Sequence, residues 1–233
     1  MKIVSLVNQS LFPFAKSEPA VTLPSGCHFV DHYGIITEDI DHTSSSSSST
    51  PKNMKAAAER YISHVNLMQK HGTFYFANKH GQRIGDGYCA DASLEWGEPL
   101  LVISDRLFPQ DNYLDVLAKC EMAMNEMNIE VILLANQLSP SGNTFTSHGL
   151  TFAFAEYSTT HPEVRQANVC PAYMISSKAT YLIAARMDYQ FFNGLPYDMM
   201  LATNFRSVIL KNTPFYPYET SHKTPHKTEI ASI

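Results

Sequence analysis

The chain has 233 residues, 44% of them apolar, with a formal net charge of −5 and a pI near 6.0. It is long enough for one large domain with a full core, and its acidic balance supplies no basic footprint for duplex nucleic acid. Cys27, Cys89, Cys120 and Cys170 form no CxxC pair, and the apolar stretch within Met1 to Val7 is too short for a signal-peptide core or a membrane span, so a cytoplasmic chain without a membrane anchor is expected.

Short strand-like pieces at Ile3 to Val7 and His28 to Thr37 are separated by Pro13, Pro19, Pro24 and Gly26. Asp39 to Lys52 carries six serines in a row, Ser44 to Ser49, cannot bury apolar surface and is expected as a mobile loop. Met54 to Lys70 places Met54, Ala57, Ala58, Tyr61, Val65 and Met68 at helical spacing, with Ser63, His64 and Gln69 outside the buried face. Gly72 ends that helix. Thr73 to Ala77 and Arg83 to Tyr88 then read as a hairpin around the turn from Asn78 to Gln82.

Pro99 to Ser104 holds Leu100, Leu101, Val102 and Ile103 in one block, which suits a central strand covered on both faces. Asn112 is placed to cap the next helix, with Asp115 three residues on, and Tyr113 to Met127 shows one apolar side. Ile129 to Ala135 is a second continuous apolar block, so strand, helix and strand are most simply a right-handed crossover between parallel strands. Ser139 to Asn143 has turn composition, and Gly149 to Tyr157 alternates as a strand. Lys178 to Met187 fits strand or helix, and Tyr181, Ile183 and the small alanines tip it towards strand. Pro196 to Phe205 reads as a short helix and Ser207 to Leu210 as a last strand. From Asn212 onward the prolines and the repeated His-Lys-Thr triplets at His222 and His226 have the composition of a tail. The expected architecture is one α/β domain over residues 1–211, with a mixed twisted sheet, a mobile loop at 39–52 and a flexible tail at 212–233.

The order helix, hairpin, strand, helix, strand from Met54 to Ala135 resembles the GNAT family of acyl-CoA N-acyltransferases. The resemblance covers about a third of the chain and is one of layout. It matches GTFYFANKHGQRIGDGY to that family's second and third strands, PLLVISDRLFP to the fourth, NYLDVLAKCEMAMNEMN to the third helix and IEVILLAN to the fifth strand. It implies acyl transfer from acyl-CoA to an amine of a small molecule or protein. Family members part the fourth and fifth strands to hold the pantetheine arm, and the next helix N-terminus takes the pyrophosphate. By that resemblance Ile103, Ser104 and Leu107 line the arm, and Gln110 to Tyr113, Asn112 among them, take the phosphate end. Where the family has a glycine-rich turn, this chain has Phe108-Pro-Gln-Asp-Asn-Tyr113. Glu98 and His148 are the candidate bases for the amine proton, and Tyr157 the candidate acid for the thiolate.

Two other classes stay open. Gln82, Gly87, Cys89, Ser93 and Trp96 resemble a papain-like arrangement, with His148 as base and Asp188 as its orienter, although Gly97 and Pro99 cut short any helix begun at Cys89. A non-enzymatic binding or assembly protein, a homo-oligomer included, is suggested by aromatic residues at Phe191, Phe192, Phe215, Tyr216 and Tyr218. The His-x-Thr pair at His71 and His222 lacks a second flanking strand. The cluster Cys27, His28, Asp31, His32, Asp39, Asp41 and His42 does not converge in extended chain, where His28 and His32 stand roughly 13 Å apart. No metal is expected there.

Overall fold

A computed structural model describes residues 1–5, 16–17, 29–30, 36–37, 50–84, 92–103, 107–135, 140–155, 172–185 and 197–217. In chain order the elements are β1 (Lys2–Ser5), β2 (Lys16–Ser17), β3 (Phe29–Val30), β4 (Ile36–Thr37), α1 (Thr50–His71), β5 (Tyr75–Ala77), β6 (Arg83–Ile84), β7 (Ser93–Glu95), β8 (Leu100–Ile103), β9 (Leu107–Pro109) and α2 (Tyr113–Met127). They continue as β10 (Val131–Ala135), β11 (Pro140–Ser147), β12 (Leu150–Ala155), β13 (Ala172–Ile175), α3 (Ser177–Ala185), α4 (Tyr197–Asn204), β14 (Ser207–Leu210) and β15 (Phe215–Pro217).

An eight-stranded mixed sheet in the order β11-β12-β14-β10-β13-β8-β1-β2 forms the middle layer. Its central strands are apolar at every position because both faces are covered. Leu100, Val102, Val131, Leu133, Tyr173 and Ile175 point to one face and join Val65, Met68, Ile183 and Leu201 from α1, α3 and α4. Leu101, Ile103, Ile132, Leu134 and Met174 point to the other and join Leu117, Cys120 and Met124 from α2. The α/β class and the mixed sheet expected from the sequence are present.

The neighbour relations differ from expectation at one decisive place. β8 and β10 do run in the same direction, but β13 lies between them, antiparallel to both: Ala172 pairs with Ile103 and with Ala135, and Tyr173 with Val102 and Leu133. A chain segment 37 residues downstream of β10 has filled the slot. Hydrogen-bonding groups on the inner edges of two parallel strands need partners, and an inserted strand satisfies both rows at once.

The hairpin belongs to a separate three-stranded sheet, β6-β5-β7, in which Phe76 pairs with Ile84 and Leu94. Trp96 and Phe74 meet Tyr181 edge-on at 5.9 and 5.2 Å and bind this small sheet to α3. The segment from Lys178 is helix, not strand. Ser176 starts it, accepting the Ala179 N–H on its Oγ at 3.2 Å and the Thr180 N–H on its carbonyl at 2.9 Å. Ser63 and His64, expected outside, are buried, His64 against Tyr173 of β13.

Three further differences are local. Pro140–Ser147 is a strand whose pairing shifts between Pro140 and Thr144, so the Ser-Pro-Ser-Gly composition marks an irregularity within a strand. Asn112 precedes α2, but its side chain makes no cap bond, and Asp115 turns instead to Lys119 at 2.6 Å. The expected tail begins with a paired strand, since Phe215–Pro217 aligns with Leu107–Pro109 and Phe215 is 1% exposed. Among the described residues no helix is long and apolar enough to cross a membrane.

Candidate functional site at the carboxyl edge of β1 and β8

From β1 the chain runs to β2 on one side, and it later returns as β8 on the other. All three strands are parallel. Strand order therefore reverses at β1, and open α/β sheets take ligands beyond the carboxyl ends of the strands at such a reversal. Ser5, 1% exposed, ends β1, and Ile103 ends β8 directly beside it. Across the edge the paired row is Ser17, Ser5, Ile103, Ala172 and Ala135, so Ser5 and Ala172 flank the isoleucine.

The ribbon β9–β15 follows β8 in the chain, and β15 lies beside β10. Three residues separate Ile103 from Leu107, which keeps their Cα atoms within about 14 Å of each other. Ile103, Leu107 and Phe215 share the α2-side core. Gln110 ties the ribbon together, donating its backbone N–H to Pro214 O at 2.9 Å and its Nε2 to Thr213 O at 3.0 Å. Tyr113 donates its N–H to Gln110 O at 3.0 Å, and its ring lies 6.4 Å from that of Phe215.

The residues expected to form one site do not all meet here. Ile103 and Leu107 flank the end of β8 in the chain, and as far as Ile103 the strand is paired on both sides, with Ser5 and with Ala172, so it is not parted there. Gln110 is occupied by the ribbon. Asn112 is exposed, and Ser104 lies outside the described residues.

Glu98 stands just before β8, as expected, and therefore at the opposite end of the strand. Its carboxylate contacts the Met1 amine, and its carbonyl accepts from Thr73 Oγ1. Lys2 in the same region donates to His71 O at 3.0 Å, at the end of α1. Burial lowers the pKa of Lys2, and Lys16 lowers it further.

His148 occupies the β11–β12 turn. That turn joins strands four and five positions from β8, roughly 19–24 Å away at ordinary spacing. Its Nε2 lies 2.9 Å from Glu126 Oε2, in a geometry not aligned as a hydrogen bond. Glu98 and His148, the two alternative bases, thus lie far apart on the sheet. Tyr157, Cys89, Asp188 and the acidic and histidine cluster from Cys27 to His42 lie outside the described residues.

Two features escaped sequence reasoning. Ser5 closes a four-residue strand and carries no motif, and only the strand order gives it a place. His64 and Tyr173, 109 positions apart, meet in the core at 2.7 Å between Nδ1 and Oη. The helical spacing put His64 outside the buried face, so nothing in the sequence marked the pair. Among the described residues no group of three or more His, Cys, Asp or Glu could hold a metal ion. Comparison with models of protein families gives no match, and comparison with characterised proteins gives none either.

Proposed function

We propose that the chain is a group-transfer enzyme whose donor carries a nucleotide, bound beyond the carboxyl ends of β1 and β8. The supporting observation is the reversal of strand order at β1, with β2 and β8 parallel to it on opposite sides. Acyl-CoA, the donor implied by the layout resemblance, belongs to this class through its phosphorylated ADP, and acyl transfer to an amine is one reaction of the class. A group activated on a nucleoside diphosphate belongs to it equally. The second donor is favoured because β13 fills the gap in which an extended pantetheine arm pairs.

By chain order alone, Ser104-Asp105-Arg106 follows the end of β8. A guanidinium suits a diphosphate bidentately, and a carboxylate can take the acceptor's proton. Calorimetric titration with UDP, GDP, ADP and coenzyme A tests the reading. Micromolar binding of a diphosphate that is lost in Arg106→Ala supports it, and binding of coenzyme A alone returns the donor to acyl-CoA. Failure of all four to bind at millimolar concentration removes the enzyme and leaves a binding or assembly protein.

A further inference from the structure

The eight-stranded sheet ends differently on its two sides. β2 closes one side with only two residues, and its Lys16 is exposed. Shortness and charge are what keep a sheet edge from pairing with another chain. β11 closes the other side with eight residues, and among the described residues no strand lies beyond it. From Asn136 to Ala155 the sequence has no Lys, Arg, Asp or Glu. Pro140 and the shifted pairing up to Thr144 guard the first half of the strand. The second half has no such guard.

The hairpin register fixes which backbone groups face outward there. Ser147 pairs with Leu150 across the two-residue turn, and hydrogen-bonded and non-hydrogen-bonded pairs alternate from that point. Phe145 and Ser147 therefore exchange their bonds with β12, while Thr144 and Thr146 turn their amides and carbonyls away from it. The carbonyl of Thr151, which stands opposite Thr146, accordingly accepts from the Lys211 N–H on the far side at 3.0 Å. Both threonines are exposed. On the opposite face Phe145 stacks on Phe152 at 5.3 Å and meets Phe154, which is 40% exposed, at 5.5 Å.

We infer that Thr144 to Thr146 is a docking edge for the same edge of a second copy of this chain, in an antiparallel joint centred on Phe145. That register sets Thr144 of each copy opposite Thr146 of the other, so the outward amides and carbonyls of both chains satisfy one another. Phe145 then meets its own counterpart, and the aromatic row from Phe152 through Phe145 continues into the second chain. A second copy fits because the segment is complementary to itself: uncharged, β-branched on either side of one aromatic residue, and symmetric about it. Joining β11 to β2 instead would unite unlike edges into an open filament, and the exposed Lys16 opposes it.

Sedimentation equilibrium on the full chain is the test. The weight-average mass is expected to climb from 26.1 kDa towards twice that value as concentration rises. Thr144→Lys combined with Thr146→Lys sets like charges opposite each other in both threonine pairs and is expected to hold the chain at the monomer mass. Thr144→Glu combined with Thr146→Glu should do the same. Mixing the two variants should restore the dimer, because every introduced lysine then faces an introduced glutamate, and a loss of fold could not be repaired in this way. A wild type that stays monomeric at every concentration overturns the inference, as does a lysine variant that dimerises like the wild type. A mass that grows past two chains overturns it too, since unlike edges are then meeting. Two monomeric variants that stay monomeric on mixing show that Thr144 does not face Thr146, which overturns the joint as well.

Discussion

The Nδ1 atom of His64 on α1 stands 2.7 Å from the phenolic oxygen of Tyr173 on β13, and the two side chains are 2% and 0% exposed. This polar contact joins a helix to the inserted strand. A buried hydrogen bond contributes about 1 kcal/mol net, and a deleted partner costs more because the remaining group has lost water as well. Tyr173→Phe is therefore expected to lower stability by about 1–2 kcal/mol in urea titration, with an unchanged slope. A double-mutant cycle with His64→Leu should return a coupling of about 1 kcal/mol, and additive losses would show that the contact carries no energy.

Cys120 lies on the buried side of α2, and burial pushes its thiol up from an ordinary value of 9.0 to about 12. The folded state keeps the proton longer than the unfolded chain does. Its contribution is whole below pH 9 and is lost progressively as pH rises towards 12. Unfolding midpoints should accordingly fall above pH 9, and Cys120→Ala should reduce that fall. In native protein at pH 8 a disulfide reagent should leave Cys120 unreacted until denaturant is added.

The β11–β12 turn puts His148 at φ 51° and Gly149 at φ 75°. Two consecutive positive angles match the right-handed twist of a hairpin and favour Asn-Gly over most pairs. His148→Asn should keep or raise the thermal midpoint, whereas Gly149→Val should lower stability by about 1–2 kcal/mol. Since His148 is remote from the β8 edge, the Asn variant should also leave turnover intact. A large loss of rate in His148→Asn would restore the histidine as a base.

Phe215 decides whether the last described residues are core or tail. Truncating a buried phenylalanine costs about 3–5 kcal/mol, while the same change in a solvated tail costs almost nothing. Phe215→Ala is expected to destabilise by an amount in the first range. Chemical denaturation of the two proteins measures it.

The sequence carried the layers better than their order. Leu100 to Ile103 and Val131 to Leu134 announce strands covered on both faces, and Leu117, Cys120 and Met124 announce one side of α2, because burial writes directly into residue type. Ala172–Ile175 is as apolar, but four residues cannot state which neighbours they join. The slot between β8 and β10 is a long-range fact. His64 misled for a related reason, since its partner in the core, Tyr173, comes from β13, more than 100 positions away. The candidate site was legible only in Ile103 and Leu107. Glu98 and His148 were selected for their chemistry and their closeness to strands, and proximity to a strand does not say which end or which edge.

The position of β13 also bears on how the protein is made. Both rows of amides and carbonyls that it satisfies are synthesised well before it, so a growing chain carries β8 and β10 with unmatched edges until residue 175 has emerged. Assembly is thereby ordered: the centre of the sheet is finished late, by a strand arriving from far along the polypeptide, and contacts of such long separation form slowly. A ribosome-bound fragment ending near residue 160 should bind chaperones avidly, and one ending past α3 should let them go.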